Sequence, residues 1–271
     1  MQDFNFDSLL LGLQFVCVEA GKYIRKEQKG FDKAKIDYKG MNDAVSYVDK
    51  RSEEIIVQGL SKLLPQSKFF TEEATAEQVS IDQAMQEELL WIVDPLDGTT
   101  NFIHGIPLFG VSVALMMKGD LVVGCVYEPN RDEMFSAIKG RGAKLNDSKI
   151  QVSPVNDFGQ ALFCTGFPYN EFSRVDNYLA IVKHIIRNSH GLRRMGSASV
   201  DLSYVACGRL EGFFERSLKP WDVAAGALIV QEAGGYVSDF QGGENWLWHN
   251  DSIVAASKLH KDLVNVVAKY Y

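Results

Sequence analysis

Two carboxylates three residues apart, Asp94 and Asp97, close the apolar run "WIVDPLDGTTNF" at positions 91–102. Isolated charges at the lip of a buried strand are costly, so something must compensate them. Pro95 lies between them, and Gly98, Thr99, Thr100 and Asn101 follow in an order that could open a helix. Spaced in this way, both carboxylates can point at one location, with the N–H groups of Gly98 and Thr99 free beside them. Such oxygens suit Mg²⁺, which takes hard oxygen ligands and commonly shares them with phosphate. Free N–H groups at a helix start suit the phosphate itself.

Two other stretches carry similar chemistry. "FFTEEA" places Glu72 and Glu73 at the end of an apolar piece, and "KPWDVAAG" places Asp222 in the first turn of an apolar helix. Taken alone, the glutamates read as a solvated turn. Asp222 alone reads as an acid favoured by the helix macrodipole. "DPLDGTT" resists such readings because it joins closely spaced acids to a buried strand. Haloacid-dehalogenase-type phosphatases also set Asp-Gly-Thr after an apolar strand, but their two acids are separated by a single residue. Here position 95 is proline and the earlier acid is three residues back. That spacing argues against a phospho-aspartate and for metal-activated water.

The elements that must position these groups follow from periodicity. The chain of 271 residues is long enough for a substantial core, as one large domain or two small ones. Phe6, Leu9, Leu10, Leu13, Val16, Cys17, Ala20 and Ile24 fall at helical spacing, with Gly30 beyond them. A turn and a second helix, from about Ser46 to Leu63, come next. The polar "TAEQVSIDQAMQEE" reads as an exposed connection, and "LLWIVD" as a buried strand. Residues 110–146 read as three strands and a further hairpin near Gly140 to Gly142. "ALFCTGF", "EGFFER", "YVSDF" and "SIVAAS" read as strands. Helices are expected over "RVDNYLAIVKHIIRN", from near Ser197, over "PWDVAAGALIVQEAGG" and over "KLHKDLVNVVAKYY". Without a repeat period or low-complexity tract, this is a layered α+β or α/β protein.

Composition narrows the function classes. The net charge of -7 argues against a generic nucleic-acid-binding surface and leaves only a local basic patch. Cys17, Cys125, Cys164 and Cys207 are widely spaced in apolar contexts without a CxxC pair, as in reduced core thiols of a cytoplasmic protein. The first residues lack a basic region and a small-residue cleavage site, so a signal peptide is not expected. No apolar run reaches the ~20 residues that span a bilayer.

With these residues in view, the sequence resembles the inositol monophosphatase family of Mg²⁺-dependent, typically lithium-sensitive phosphatases. The resemblance rests on "DAVSYVDK", "FFTEEA", "WIVDPLDGTTNFIHGIP", "GLRRMGSASVDLSYVACGRLEGFFE" and "PWDVAAGALIVQEAGG", in the family's order. The segment from Arg193 to Ala198 looks most like the bacterial branch. The resemblance implies one domain over residues 1–271, folded as an alternating α-β-α-β-α layered sandwich of the inositol monophosphatase and fructose-1,6-bisphosphatase type, in a homodimer. It implies Glu72, Asp94 and the Leu96 carbonyl as ligands of a first Mg²⁺, and Asp94, Asp97 and Asp222 as ligands of a second. Glu72 can hold a third ion through waters. Gly98 and Thr99 match the phosphate cradle, while Asp49 and Thr99 with Glu72 match the group that orients attacking water. Asp97, Gly196, Ser197, Ala198, Glu215 and Asp222 match positions against the substrate, Glu215 accepting from polyol hydroxyls. Asp43 is expected to act only as structural support.

The implied reaction is hydrolysis of inositol monophosphate or a related polyol or sugar phosphate by direct attack of metal-activated water. Relatives act instead on fructose 1,6-bisphosphate, histidinol phosphate or adenosine 3′,5′-bisphosphate, and some bacterial relatives serve transcription complexes or bind RNA; neither nucleic acid nor a transcription complex is the favoured partner here. Two departures are mild: Thr71 stands where glycine is common, and Ser46 where threonine is. His104 is expected to pack or to orient a loop, His184 and His190 to lie at the surface, and Trp221 to pack and fix a helix start. Arg193 and Arg194 are read as interface or salt-bridging residues.

Overall fold

Why the strand ending in Asp94 is buried becomes clear from what covers it. The computed structural model describes residues 5–31, 36–40, 43–74, 79–168, 172–248 and 252–271, with the side chains of 36–40 and 43–46 left aside. Helix α1 (Phe6–Gln28) and α2 (Tyr47–Leu63) pack on each other and on one face of a seven-stranded sheet. That sheet runs in the order β3 (Lys68–Thr71), β4 (Leu89–Asp97), β5 (Gly110–Met117), β6 (Asp120–Glu128), β7 (Glu133–Ile138), β8 (Ala143–Leu145), β9 (Ser148–Ile150). Only the β3–β4 pair is parallel; the rest is an antiparallel meander.

On the other face lie α6 (Ala198–Ala206) and α7 (Pro220–Glu232), packed together. Beyond them is a five-stranded sheet ordered β11 (Gly191–Arg193), β10 (Leu162–Thr165), β12 (Gly212–Arg216), β14 (Ser252–Ala256), β13 (Tyr236–Ser238). Its outer face carries α5 (Val175–Asn188) and α8 (His260–Ala268). The order is therefore α-β-α-β-α, as the resemblance implied, with a separate apolar core in each of the outer gaps and one shared around the central helices.

The layering explains the composition of its parts. α7 is apolar all round because sheet lies on both sides, so Val223 to Val230 are buried without an exposed stripe. β5 shows no alternation for the same reason: its two faces are covered by α1 and by α7.

Three pieces differ from the sequence expectation. The turn before α2 contains a hairpin of β1 (Ile36–Gly40) and β2 (Asp43–Ser46). The polar connection carries the short α3 (Ile81–Ala84), closed by a capping box between Ser80 and Gln83. Beyond the expected hairpin, β8 turns once more into β9. α4 (Thr99–His104) is the helix that "DGTT" was expected to open. Among the described residues no helix is long and apolar enough to cross a membrane.

Candidate active site

The acids converge because β4 breaks its register. Asp94 pairs with Ser112 and Asp97 with Gly110, so Pro95 and Leu96 together oppose Val111. This is a β-bulge, and proline suits it because it has no N–H to lose from the ladder. The bulge turns the backbone between the two carboxylates, and Asp94 Oδ1 accepts from the Leu96 N–H at 3.0 Å. Gly98 follows at φ +98, a left-handed conformation that favours glycine, and a Cβ there would meet the Gly196 carbonyl at 3.0 Å.

Glu72 reaches the same point from the neighbouring strand. Its N–H continues the parallel ladder to the Val93 carbonyl at 3.2 Å, which puts Glu72 beside Asp94. Asp222 arrives from the first turn of α7, where its Oδ2 caps the Lys219 N–H at 2.6 Å. Asp94 lies within electrostatic reach of both Glu72 and Asp222, so the three carboxyls form one interacting group. Burial, and then the charge of Asp222, raises Glu72; burial, and then the charge of Glu72, raises Asp94. Asp222 is pushed up to about 7 by burial and by Asp97.

Such a set demands positive charge. Among the described residues no salt bridge reaches Glu72, Asp94, Asp97 or Asp222. Nor, among the described residues, do three or more His, Cys, Asp or Glu side chains form a ready-made metal cage. Each of the three carboxyls instead feels the charge of another of the clustered acids. A hard dication would offset that repulsion, and an all-oxygen donor set of this kind fits Mg²⁺.

Asp97 is held differently. Its Oδ2 accepts from the Ser197 hydroxyl at 2.7 Å, the Ser199 N–H at 2.6 Å and the Ser199 hydroxyl at 2.5 Å. Its Oδ1 accepts from the Ala198 N–H at 3.2 Å. Burial raises its pKa while these donors oppose the rise. The expected substrate-side residues Ser197 and Ala198 thus engage Asp97, and Gly196 lies against Gly98.

Asp49 and Thr99, two of the residues expected to orient water, are also brought together. Buried Asp49, in the first turn of α2, accepts from the Thr99 hydroxyl at 2.9 Å, and the same hydroxyl lies 3.0 Å from the Leu96 carbonyl. Ser52 anchors the bulge by donating to the Pro95 carbonyl at 3.0 Å. Glu53, one turn along α2, accepts from the Glu73 N–H at 2.8 Å. The side chain of Asp43 lies outside the described residues, as does part of the polar loop after Glu73, at 75–78.

Glu215, on β12, is 5% exposed and lies directly over Gly166: a Cβ at Gly166 would fall 1.8 Å from its Oε1. Behind it stands Asp201 of α6, 1% exposed, whose Oδ1 has no hydrogen-bond partner among the described residues. Burial raises both acids, each raised also by a neighbouring acid and lowered by Arg194. The Arg194 guanidinium lies 5.2 Å from the centre of the exposed Phe167 ring.

Sequence reasoning missed Ser199, Asp201 and Gly166, which lie beside residues it named. It also quoted Asn101 without a role. The Asn101 amide donates to the carbonyls of Leu108 at 2.7 Å and Met195 at 2.8 Å, tying α4 to the approach of α6. Single-residue chemistry held no signal for these; their roles arise from packing between distant segments. Trp221 packs on Phe70 at 5.3 Å between ring centres, the fixing role expected of it. His104 and His190 are exposed and His184 is half-buried at the surface. All four cysteines are free, three of them buried.

The model of the inositol monophosphatase family matches residues 9–270. A protein of Pasteurella multocida named Nus factor SuhB is 41% identical over 249 residues, which cover 92% of this chain and 91% of that one. The crystal structure of extragenic suppressor protein suhB from Bartonella henselae superposes with a TM-score of 0.89 at 36% identity, covering 97% of this chain and 99% of that one. An inositol monophosphatase from Anabaena (Nostoc) superposes at 0.85 with 32% identity, covering 98% and 97%.

The raised carboxyls give a signed pH dependence. Between the ordinary carboxyl range near ~4 and about 7, the metal-free folded protein binds more protons than the unfolded chain. Its stability from these groups is therefore present at low pH and is lost as pH rises through the folded values. A dication that takes the protons' place restores it. The rise in Tm on adding millimolar Mg²⁺ should grow from about pH 5.5 to about pH 8 in differential scanning fluorimetry. A rise that is flat or shrinks over that interval contradicts the assignment.

Proposed function

The chain belongs to the inositol monophosphatase family, whose members are generally Mg²⁺-dependent, and from there we propose that it is a phosphomonoesterase acting on inositol monophosphate or a related polyol or sugar phosphate. The observation that carries this reading is the convergence of Glu72, Asp94 and Asp222, from β3, the bulge of β4 and the start of α7, beside the N–H groups that open α4. Glu72, Asp94, the Leu96 carbonyl, Asp97 and Asp222 would hold two Mg²⁺ ions, with Glu72 available to a third. Bound there, Mg²⁺ supplies Lewis-acid stabilisation of the phosphoryl, attacking and leaving oxygens.

The protein's own groups do the rest. The Gly98 and Thr99 N–H groups have no intrahelical partner and bind phosphate oxygens. Asp49 takes the Thr99 hydroxyl proton in a hydrogen bond, which leaves the Thr99 oxygen to accept from the attacking water. Glu72 fixes that water's second proton. Attack is direct, on phosphorus, and Asp222 orients the water that protonates the departing alkoxide. Ser197 and Ala198 form the wall against the alcohol, and Glu215 accepts from its hydroxyls. That carboxylate suits a hydroxylated alcohol such as a polyol or sugar. The free, buried thiols suit a cytoplasmic protein.

The name Nus factor on the Pasteurella multocida relative supports a second reading, an accessory role in a transcription complex. The gathered carboxyls favour the enzyme. If the accessory role stood alone, no ester in a broad panel would release phosphate.

Phosphate release from that panel, with and without Mg²⁺, tests the proposal and ranks the substrates. Asp97→Asn should lower Mg²⁺-dependent turnover by roughly 100-fold or more, in the range seen when one preorganised electrostatic group is removed. Wild-type turnover in the folded variant refutes the site. Gly166→Ala should displace Glu215 and raise KM for a polyol phosphate by about tenfold, the cost of one charge-assisted hydrogen bond, with Mg²⁺ affinity unchanged by isothermal titration. An unchanged KM would remove Glu215 from the substrate wall.

A further inference from the structure

The four donors to Asp97 are unevenly divided. Oδ2 takes three, at 2.7, 2.6 and 2.5 Å, and Oδ1 takes one, at 3.2 Å. A carboxylate oxygen offers about two lone-pair sites. Oδ2 is therefore fully used, while Oδ1 keeps an open lone pair. Two of the three donors to Oδ2 come from one residue, Ser199, which supplies both its N–H and its hydroxyl. Ser199 is buried; the Ser203 hydroxyl, one turn along α6, meets only its carbonyl, at 2.8 Å, and not the N–H and hydroxyl that hold Asp97.

We infer that Ser199 is a positioning residue for Asp97: its N–H and hydroxyl lock Oδ2 to the start of α6, so that Oδ1 is the oxygen presented to the cation. This rests on the proposed role of Asp97 as a ligand. A free aspartate turns about its Cβ–Cγ bond and presents either oxygen, or both. With Oδ2 locked, the carboxylate plane is set before any ion arrives. The hydroxyl is the removable part of this lock, because the N–H remains in any variant other than proline. Groups that orient a metal ligand in this way typically contribute about 10–100-fold to metal affinity.

The role predicts a selective change. Ser199→Ala should weaken the lower-affinity class of bound Mn²⁺, read as free Mn²⁺ by electron paramagnetic resonance, by about tenfold. The higher-affinity class should be unaffected. Ser203→Ala removes an equally buried hydroxyl from the same helix without touching Asp97, and should leave both classes within about twofold of wild type. A general loosening of α6 would move both variants alike, and Tm measured beside each titration reports it. If wild type binds two Mn²⁺ ions and Ser199→Ala binds both as tightly, the positioning role is wrong while the metal site stands. If wild type itself binds no second ion, the metal reading falls and the inference with it.

Discussion

Like charge gathered in a small, dry volume is the constraint around which this molecule is built. Asp94 stands between Glu72 and Asp222, with Asp97 close by, and none of the four is met by a salt bridge among the described residues. A chain does not collect such groups by default, since each loses hydration and repels the others. They stay together because each is fastened to a rigid element. Glu72 follows β3, Asp94 and Asp97 flank a bulge in β4, and Asp222 opens α7. Relaxing the repulsion would mean pulling apart strands and helices whose apolar faces are buried in three cores.

The central helical layer has two tasks. α6 and α7 fill the space between the sheets, and their N-termini aim at the acids. Asp97 receives two main-chain N–H groups from the start of α6, and Asp222 receives one at the start of α7. The partial positive charge at a helix start favours a nearby carboxylate. Packing therefore delivers partial compensation before any cation binds. Gly98 and Asn101 complete the junction: one lets the backbones pass at close range, the other ties α4 to the segment leading into α6.

Much of this was legible in the sequence, for reasons that differ by element. The apolar run of β4 ending in two acids, and the proline between them, pointed directly to a strand that stops for chemical reasons. α1, α5 and α8 showed helical periodicity because one side of each faces a core and the other does not. α7 was legible through its proline start and glycine end, since its burial on all sides erases the stripe. The order of layers followed only from the family resemblance, because periodicity says which faces are buried and not by what. The β1–β2 hairpin and the capped turn of α3 sit in polar stretches without apolar alternation. Ser199 and Gly166 were invisible for a stronger reason: one acts on a residue 102 positions away, the other makes room for Glu215 from a different strand end.

The arrangement also separates two functions in space. Glu72, Asp94, the Leu96 carbonyl and Asp49 with Thr99 belong to α2, the β3–β4 pair and α4, all on the side of the seven-stranded sheet. Gly166, Glu215 and Arg194 belong to the five-stranded sheet and its connections, with Asp201 reaching toward them from α6. Asp97 and α6 lie on the seam. Glu215 and Asp201 are buried acids of their own, both moderated by Arg194, with the charge of Asp97 raising each and that of Asp222 also raising Glu215. On the proposed function, the second sheet, with Phe167 and Arg194 at its mouth, is where a choice among phosphate esters would be made, and the bulged strand would carry the hydrolytic chemistry.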